Sequence, residues 1–177
     1  IFVGTIEPRK NLVRLLEAME LLHEKGEGAK LVIVGSKGWL HEDFFRRLAE
    51  MPRGAVFFPG YVPDEDLPAF YSGAALSALP SLYEGFGLPV LEAMACGTPV
   101  ACSRTSSLPE VAGDAAAYFD PTDVEAMAEV MHQILSDEER REEMRARGLA
   151  QAAQFSWARA AEETMAVYEQ VIAKRSA

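Results

Sequence analysis

The chain has 177 residues, of which 49% are hydrophobic and 25% are charged, as in an ordinary globular domain. Its formal net charge of −10 disfavours broad binding to nucleic acid or to an anionic membrane surface, so any phosphate site must be local. No apolar run approaches the roughly 18 residues that a membrane-spanning helix needs.

Short apolar segments alternate with longer segments of helical period. The apolar segments are IFVG at the start, KLVIVG, AVFFPG, ALSALP, PVACS and a weak AAAYFD, and the helical segments are 11–25, 39–50, 64–72 and 88–96. Beyond them only helices are predicted, starting at Thr122 or Asp123, at Ser136 or Asp137, and at Ser156. This alternation predicts the α/β doubly wound class, a parallel sheet of about six strands with helices on both faces.

Ligands of open α/β sheets bind beyond the carboxyl ends of the strands, so function is expected in the loops there. Three of these loops carry polar or glycine-rich sequence: GTIEPRKN after the first strand, GSKGW after the second and PSLYEGFG after the fourth. Cys96 and Cys102 lie in apolar segments and are interpreted as core residues of a protein in a reducing compartment.

The fourth-strand loop continues as EGFGLP into a predicted helix. Gly85 and Gly87 permit positive φ and close backbone approach, and Pro89 suits the first turn of a helix. Free N–H groups at a helix N-terminus form an anion site that fits a diphosphate. The same residues also fit a plain tight turn between strand and helix.

Two glutamates flank this loop. A carboxylate near bound phosphate is unfavourable unless it accepts hydrogen bonds, and sugar hydroxyls are suitable donors. Glu92 lies one helical turn beyond Pro89 and could reach a ribose, whereas Glu84 could hold a sugar on the other side of the diphosphate. Together they indicate a nucleotide sugar.

The segment SLYEGFGLPVLEAMACGTPV closely resembles the donor-binding motif of the retaining glycosyltransferases of family 4, in which seven residues separate two glutamates. VGTIEPRKNL, FFPGYVPDEDLPAFYSGA, SSLPEVAGDAAAYFDP and FSW are also similar to family segments. The resemblance implies a GT-B enzyme of two Rossmann-like domains. Residues 1–177 would be the C-terminal, donor-binding domain, and an N-terminal acceptor domain would lie outside this chain, which opens in mid-strand.

The resemblance also implies roles for individual residues. Glu92 would bind the donor ribose and Glu84 the hydroxyls of the sugar ring. The amides of Gly85, Phe86, Gly87 and Leu88 would cradle the diphosphate and sugar, and Lys10 would meet the phosphates.

Gly4 and Thr5 of the first loop are also expected to bind the donor by the resemblance. This loop departs from the commoner family pattern, because Gly4 is followed by Thr5 and not by arginine. Arg9 is expected to supply the second cation, although Arg9 and Lys10 could also form a solvated turn. Backbone contacts from Tyr61 and Val62 to the nucleotide base are implied by the resemblance, and a core or turn role fits them nearly as well.

Metal and cofactor sites are not expected. The acidic triplet Asp64, Glu65 and Asp66 resembles a metal motif of another glycosyltransferase architecture, but its place at a helix start favours capping. The three histidines are scattered, and we expect them on the surface or in packing contacts.

The resemblance implies retaining transfer of a hexose from a nucleotide diphosphate sugar to a hydroxyl of a growing saccharide or lipid-linked glycan. The chain resembles bacterial mannosyltransferases, and the segment EPRKN in its first loop favours GDP-mannose over a UDP-sugar as the donor. A nucleotide-sugar-binding module that is inactive alone and a GT-B epimerase stay open as alternatives. The expected location is cytoplasmic, with peripheral membrane contact of the longer protein and no nucleic-acid partner.

Overall fold

The structure, a computed structural model, describes residues 1–175. The strands are β1 (Phe2–Val3), β2 (Leu31–Val34), β3 (Val56–Gly60), β4 (Ser77–Leu79), β5 (Val100–Ser103) and β6 (Ala117–Phe119). The helices are α1 (Leu12–Glu24), α2 (Glu42–Glu50), α3 (Leu67–Ser72), α4 (Leu88–Ala95), α5 (Leu108–Ala112), α6 (Val124–Leu135), α7 (Glu138–Ala152) and α8 (Trp157–Arg175). Short 3-10 turns cover Pro8–Lys10 and Gly113–Ala115.

All strand pairs are parallel, in two ladders of three strands, with the orders β1-β2-β3 and β4-β5-β6. The predicted α/β class, with parallel strands and flanking helices, is therefore confirmed. The six strands form two hydrogen-bonded ladders, however, and not the single sheet that was predicted. The ladders meet at β1 and β4, where the Ala78 N–H donates to the Ile1 carbonyl at 2.9 Å. β1 is only two residues long, and its ladder runs to β2 through Phe2 and Val3.

The core lies between the strands and two groups of helices. α1 packs against α2 and α6, whereas α4 packs against α3, α5 and α7. All residues of β4 and β5 are buried, which is why these strands read as continuous apolar segments.

Three predicted helix starts are confirmed by capping side chains. The Asp123 carboxylate accepts from the Ala126 N–H at 2.9 Å, and that of Asp137 from the Arg140 N–H at 3.0 Å. The Ser156 hydroxyl accepts from the Arg159 N–H at 3.2 Å.

The acidic triplet does not cap α3 as expected. Asp66 precedes the helix, but its side chain makes no capping hydrogen bond. Two features explain this: Asp66 has helical backbone angles, where a capping residue is normally extended, and Pro68 in the first turn has no N–H to donate.

Among residues 1–175, no helix is both long enough and apolar enough to cross a membrane.

The ends of β1 and β2 approach each other closely at Gly35. Its φ is +147°, and a Cβ there would lie 2.0 Å from the carbonyl oxygen of Gly4. We expect Gly35→Ala to lower the free energy of unfolding by more than about 2 kcal/mol, measured by denaturant titration. A Cβ on Gly28 meets nothing within 4 Å, so Gly28→Ala is the matched control and should change stability by less than about 0.5 kcal/mol. Equal stability of the two variants would contradict this close approach.

Candidate functional site

The loop after β1 and the loop after β4 meet at the carboxyl edge of the strands. The Leu82 N–H donates to the Arg9 carbonyl at 2.7 Å. The buried Asn11 side chain donates to the carbonyls of Pro80 at 3.0 Å and Pro121 at 2.7 Å. Asn11 adopts φ +59°, which ends the 3-10 turn and starts α1. These contacts place two of the three predicted functional loops, those after β1 and β4, side by side.

The Glu84 carboxylate lies between the two cations of the first loop. Its Oε1 accepts from Lys10 Nζ and from Ser81 Oγ, each at 2.6 Å, and its Oε2 accepts from Arg9 Nη1 at 2.8 Å. The side chains of Lys10 and Glu84 are only 8% and 7% exposed, whereas that of Arg9 is 43% exposed. The structure thus brings together all three side chains predicted to be catalytic.

A second carboxylate, Glu7, completes this group, which we call the Glu84 cluster (Glu7, Arg9, Lys10, Ser81 and Glu84). The Glu7 side chain is buried, and its Oε1 lies 2.5 Å from Arg9 Nε as an ion pair without hydrogen-bond geometry. Two carboxylates and two cations make the cluster formally neutral, and Arg9 is ion-paired within it while its side chain stays 43% exposed.

The environment of Glu84 keeps it ionised. Burial alone raises the pKa of a carboxyl, but the hydrogen bonds from Lys10, Ser81 and Arg9, with the charge of Lys10, outweigh burial and hold the pKa of Glu84 below its ordinary 4.5. Glu84 is therefore an anion at neutral pH.

The glycine loop (residues 81–88) leads into α4. Gly87 has φ +104°, and a Cβ there would lie 2.7 Å from Leu108 Cδ2, so this position needs glycine. Gly85 does not use positive φ, and a Cβ there would meet nothing within 4 Å. Positive φ and the contact with Leu108 thus require glycine at position 87, whereas the open space around Gly85 would admit a side chain.

Four successive amides, those of residues 85–88, lie at the N-terminus of α4. Within residues 1–175, no acceptor takes a hydrogen bond from the N–H groups of Gly85, Phe86, Gly87 or Leu88. Unpaired N–H groups at the positive end of a helix dipole favour an anion. The glycine loop therefore offers anion donors directly beside the Glu84 cluster.

Glu92 lies on the exposed side of α4, and its Oε2 accepts from the Tyr71 hydroxyl at 2.9 Å. Burial, followed by the charge of Glu92, raises the pKa of Tyr71, so this hydroxyl stays protonated and donates. Sequence reasoning missed Tyr71, because 21 residues separate it from Glu92 and the pair shares no motif.

The other predicted binding residues, Gly4, Thr5, Tyr61 and Val62, lie outside the Glu84 cluster. Gly4 is next to the Lys10 stem, since a Cβ there would lie 3.7 Å from Lys10 Cε, and Thr5 is exposed. Tyr61 is exposed while Val62 is buried, so the core alternative holds for the Val62 side chain. In the described part of the chain, no hydrogen bond or ion pair joins Tyr61 or Val62 to the Glu84 cluster.

The cysteines and acidic side chains elsewhere form no further centre. Cys102 is fully buried, and burial raises the pKa of its thiol to about 12, while Cys96 is half-buried. In the residues that the structure describes, no three His, Cys, Asp or Glu side chains are grouped so as to hold a metal ion.

Fold and site together define a parallel α/β domain in which two cations, two carboxylates and four unpaired amides of the described residues converge at the carboxyl ends of β1 and β4. Residues 1–151 match the family described as Glycosyl transferases group 1. The chain belongs to this family.

Individual relatives agree with the family. The chain is 48% identical over 172 residues to O-antigen chain mannosyltransferase B of Escherichia coli, covering 96% of this chain and 45% of that protein. It is 34% identical over 168 residues to a GDP-mannose-dependent alpha-(1-6)-phosphatidylinositol dimannoside mannosyltransferase of Mycobacterium tuberculosis, covering 94% and 42%. A solved sucrose-phosphate synthase from Thermosynechococcus elongatus superposes with a TM-score of 0.82 at 28% identity, covering 98% and 46%. The chain thus spans less than half the length of these proteins.

The pairing of Glu84 predicts an acid-sensitive contribution to stability. Because the folded pKa is depressed, this contribution is fully present well above the unfolded value of 4.5 and is lost as the pH falls through the folded pKa. We expect Glu84→Gln to cost about 3 kcal/mol at pH 7, since Lys10 is left buried without its carboxylate. The variant should also lose less stability than the wild type below about pH 5, measured by urea unfolding across pH.

The control for this titration is Glu143→Gln, which removes an exposed carboxylate of α7. Its stability should follow the wild-type pH curve. If the curve of Glu84→Gln also ran parallel to the wild type, the ion-paired state of Glu84 would be refuted.

Proposed function

We propose that this chain is the donor-binding domain of a GT-B mannosyltransferase that uses GDP-mannose without a metal ion. The enzyme transfers mannose, with retention of configuration, to a hydroxyl of a saccharide or lipid-linked glycan. One observation carries the proposal: Glu84 is fixed by Lys10 and Arg9 immediately before four unpaired amides. That combination offers donors for a diphosphate and an acceptor for sugar hydroxyls at one place.

The names of the relatives support the choice of donor. The Escherichia coli relative is named a mannosyltransferase, and the Mycobacterium tuberculosis relative is named as GDP-mannose-dependent. The EPRKN segment, whose Arg9 and Lys10 both contact Glu84, favours the same donor.

Negative charge develops on the diphosphate as it leaves the sugar. The amides of residues 85–88 and the cations Lys10 and Arg9 would stabilise that charge, because preorganised donors in a shielded site lower the barrier. A domain of net charge −10 needs such local cations to hold a diphosphate at all.

The acceptor capacity of Glu84 fits one sugar hydroxyl. A carboxylate offers about four lone-pair sites, two on each oxygen. Oε1 accepts from Lys10 and Ser81, and Oε2 accepts from Arg9 alone. One site on Oε2 is left for a hydroxyl of the sugar ring, which orients the sugar while Arg9 and Lys10 stay paired with Glu84 and offer their remaining N–H groups to the phosphates.

Glu92 is suited to the ribose. Its Oε2 is held by Tyr71, and within residues 1–175 no donor occupies its Oε1. An exposed, oriented carboxylate of this kind can accept from ribose hydroxyls, the use that acidic residues have in dinucleotide folds.

The acceptor is assigned to a second domain. All side chains of residues 157–174 are exposed, and Trp157, Met165, Tyr168 and Val171 share one stripe of α8 at helical spacing. We assign this stripe to contact with the acceptor-binding domain, so the chain by itself should bind the donor without transferring sugar. Donor binding without turnover would also be the behaviour of a binding module.

The donor assignment is tested by calorimetric titration of this chain with GDP, UDP and ADP in the presence of a chelator. We expect selective GDP binding that Glu92→Ala weakens about tenfold or more, because a hydrogen bond to a charged group is lost. Glu110→Ala, which removes an exposed glutamate of α5, is the control and should bind like the wild type. Preference for UDP would refute GDP-mannose, and undiminished affinity of Glu92→Ala would refute the ribose contact.

The catalytic assignment is tested in the protein that contains both domains, by transfer of labelled mannose to acceptor. Glu84→Gln and Lys10→Ala should each lower kcat by about 100-fold or more, since each removes a group that acts on the developing charge or on the reacting sugar. Near-normal turnover in both variants would show that the Glu84 cluster is not the reacting site.

A further inference from the structure

The loop between β5 and α5 lies against the glycine loop. Thr105 Oγ1 donates to the Ser81 carbonyl at 3.3 Å, and Ser106 Oγ accepts from the Glu84 N–H at 2.9 Å. Ser107 Oγ lies 3.0 Å from the Glu84 carbonyl oxygen and 2.8 Å from that of Phe86. Because a hydroxyl carries one proton, Ser107 shares it between the two carbonyls.

These contacts replace the role that serine normally has at a helix start. Ser107 is the N-cap residue of α5, but its side chain makes no hydrogen bond to the helix amides. A side-chain cap of this kind normally stabilises a helix start. The hydroxyl is used on the glycine loop instead.

The backbone of Ser106 adopts an unfavourable conformation. Its φ is +50°, in the left-handed region that is unfavourable for a residue with a side chain. In this conformation its hydroxyl meets the Glu84 N–H. Strained backbone of this kind persists where the surroundings hold it, often at functional sites.

Peptide geometry connects these serines to the anion-binding amides. The Glu84 carbonyl and the Gly85 N–H belong to one planar trans peptide, and so do the Phe86 carbonyl and the Gly87 N–H. In such a peptide the C=O and the N–H point in opposite directions. Fixing both carbonyls on Ser107 therefore turns both N–H groups away from α5.

We propose that Ser106 and Ser107 are positioning residues of the donor site, which orient the amides of Gly85 and Gly87 towards the diphosphate. Ser107 sets the two peptide planes, and Ser106 fixes the backbone of Glu84 at the start of the loop. The role in donor binding rests on the proposed function, whereas the orientation of the loop does not.

The test compares Ser107→Ala with Ser107→Thr, which restores the hydroxyl. Ser136→Ala is the matched control, because the Ser136 hydroxyl donates to the His132 carbonyl at the end of α6. We expect Ser107→Ala to weaken GDP binding about five- to tenfold, the effect of one lost hydrogen bond, and Ser107→Thr and Ser136→Ala to change it less than about twofold. The ¹⁵N order parameters of Gly85 and Gly87 should fall in Ser107→Ala only.

Ser106 is tested with two substitutions that separate its hydrogen bond from its strain. Both Ser106→Ala and Ser106→Gly remove the hydroxyl, but glycine also relieves the positive φ. We expect Ser106→Gly to unfold at a higher temperature than Ser106→Ala, and both to bind GDP more weakly than the wild type.

GDP affinity tests the proposed function, and the order parameters of Gly85 and Gly87 test the positioning role. If the wild type bound no GDP, the proposed function would fail, and lower order parameters in Ser107→Ala would still support the positioning role. If Ser107→Ala lowered only the melting temperature, with GDP affinity and order parameters unchanged, the serine would be merely structural and the inference would be overturned.

Discussion

The site depends on one interaction, the pairing of Glu84 with Lys10 and Arg9. It joins the loop after β1 to the loop after β4, across 74 and 75 residues of sequence. β1 and β4 are the edge strands at which the two ladders meet, so their carboxyl ends bring these loops together. Because Lys10 is buried, removing Glu84 would leave the charge of Lys10 without its carboxylate partner. This constraint fixes the start of the glycine loop and, with it, the amides that follow.

The electrostatics of the cluster suit a ligand that carries both phosphate and hydroxyl groups. Before binding, two carboxylates neutralise two cations inside a strongly acidic domain. Arg9 and Lys10 keep further N–H groups for a diphosphate and Glu84 keeps an acceptor site for a sugar hydroxyl, so one nucleotide sugar can add to this pairing on both sides.

Much of the fold was readable from sequence, because buried parallel strands and amphipathic helices leave different periodicities. The predicted starts of α6, α7 and α8 coincide with Asp123, Asp137 and Ser156, whose caps depend on local chemistry alone. Contacts set by tertiary structure were not readable. The sequence around Tyr71 gives no sign of its hydrogen bond to Glu92. Asp66 was predicted to cap α3, but its helical backbone angles and Pro68 prevent this. Helix α5 and the serines before it were not predicted. The split into two ladders depends on which strand pairs with β1, and an apolar pattern does not reveal pairing.

The most direct test of the account is a crystal structure of this chain with GDP-mannose. The account predicts that the diphosphate contacts the amides of residues 85–88 with Lys10 and Arg9 beside it, that Glu84 accepts from a mannose hydroxyl, and that Glu92 accepts from the ribose. A nucleotide bound elsewhere, or one bound at the glycine loop with the ring hydroxyls of mannose out of reach of Glu84, would contradict it.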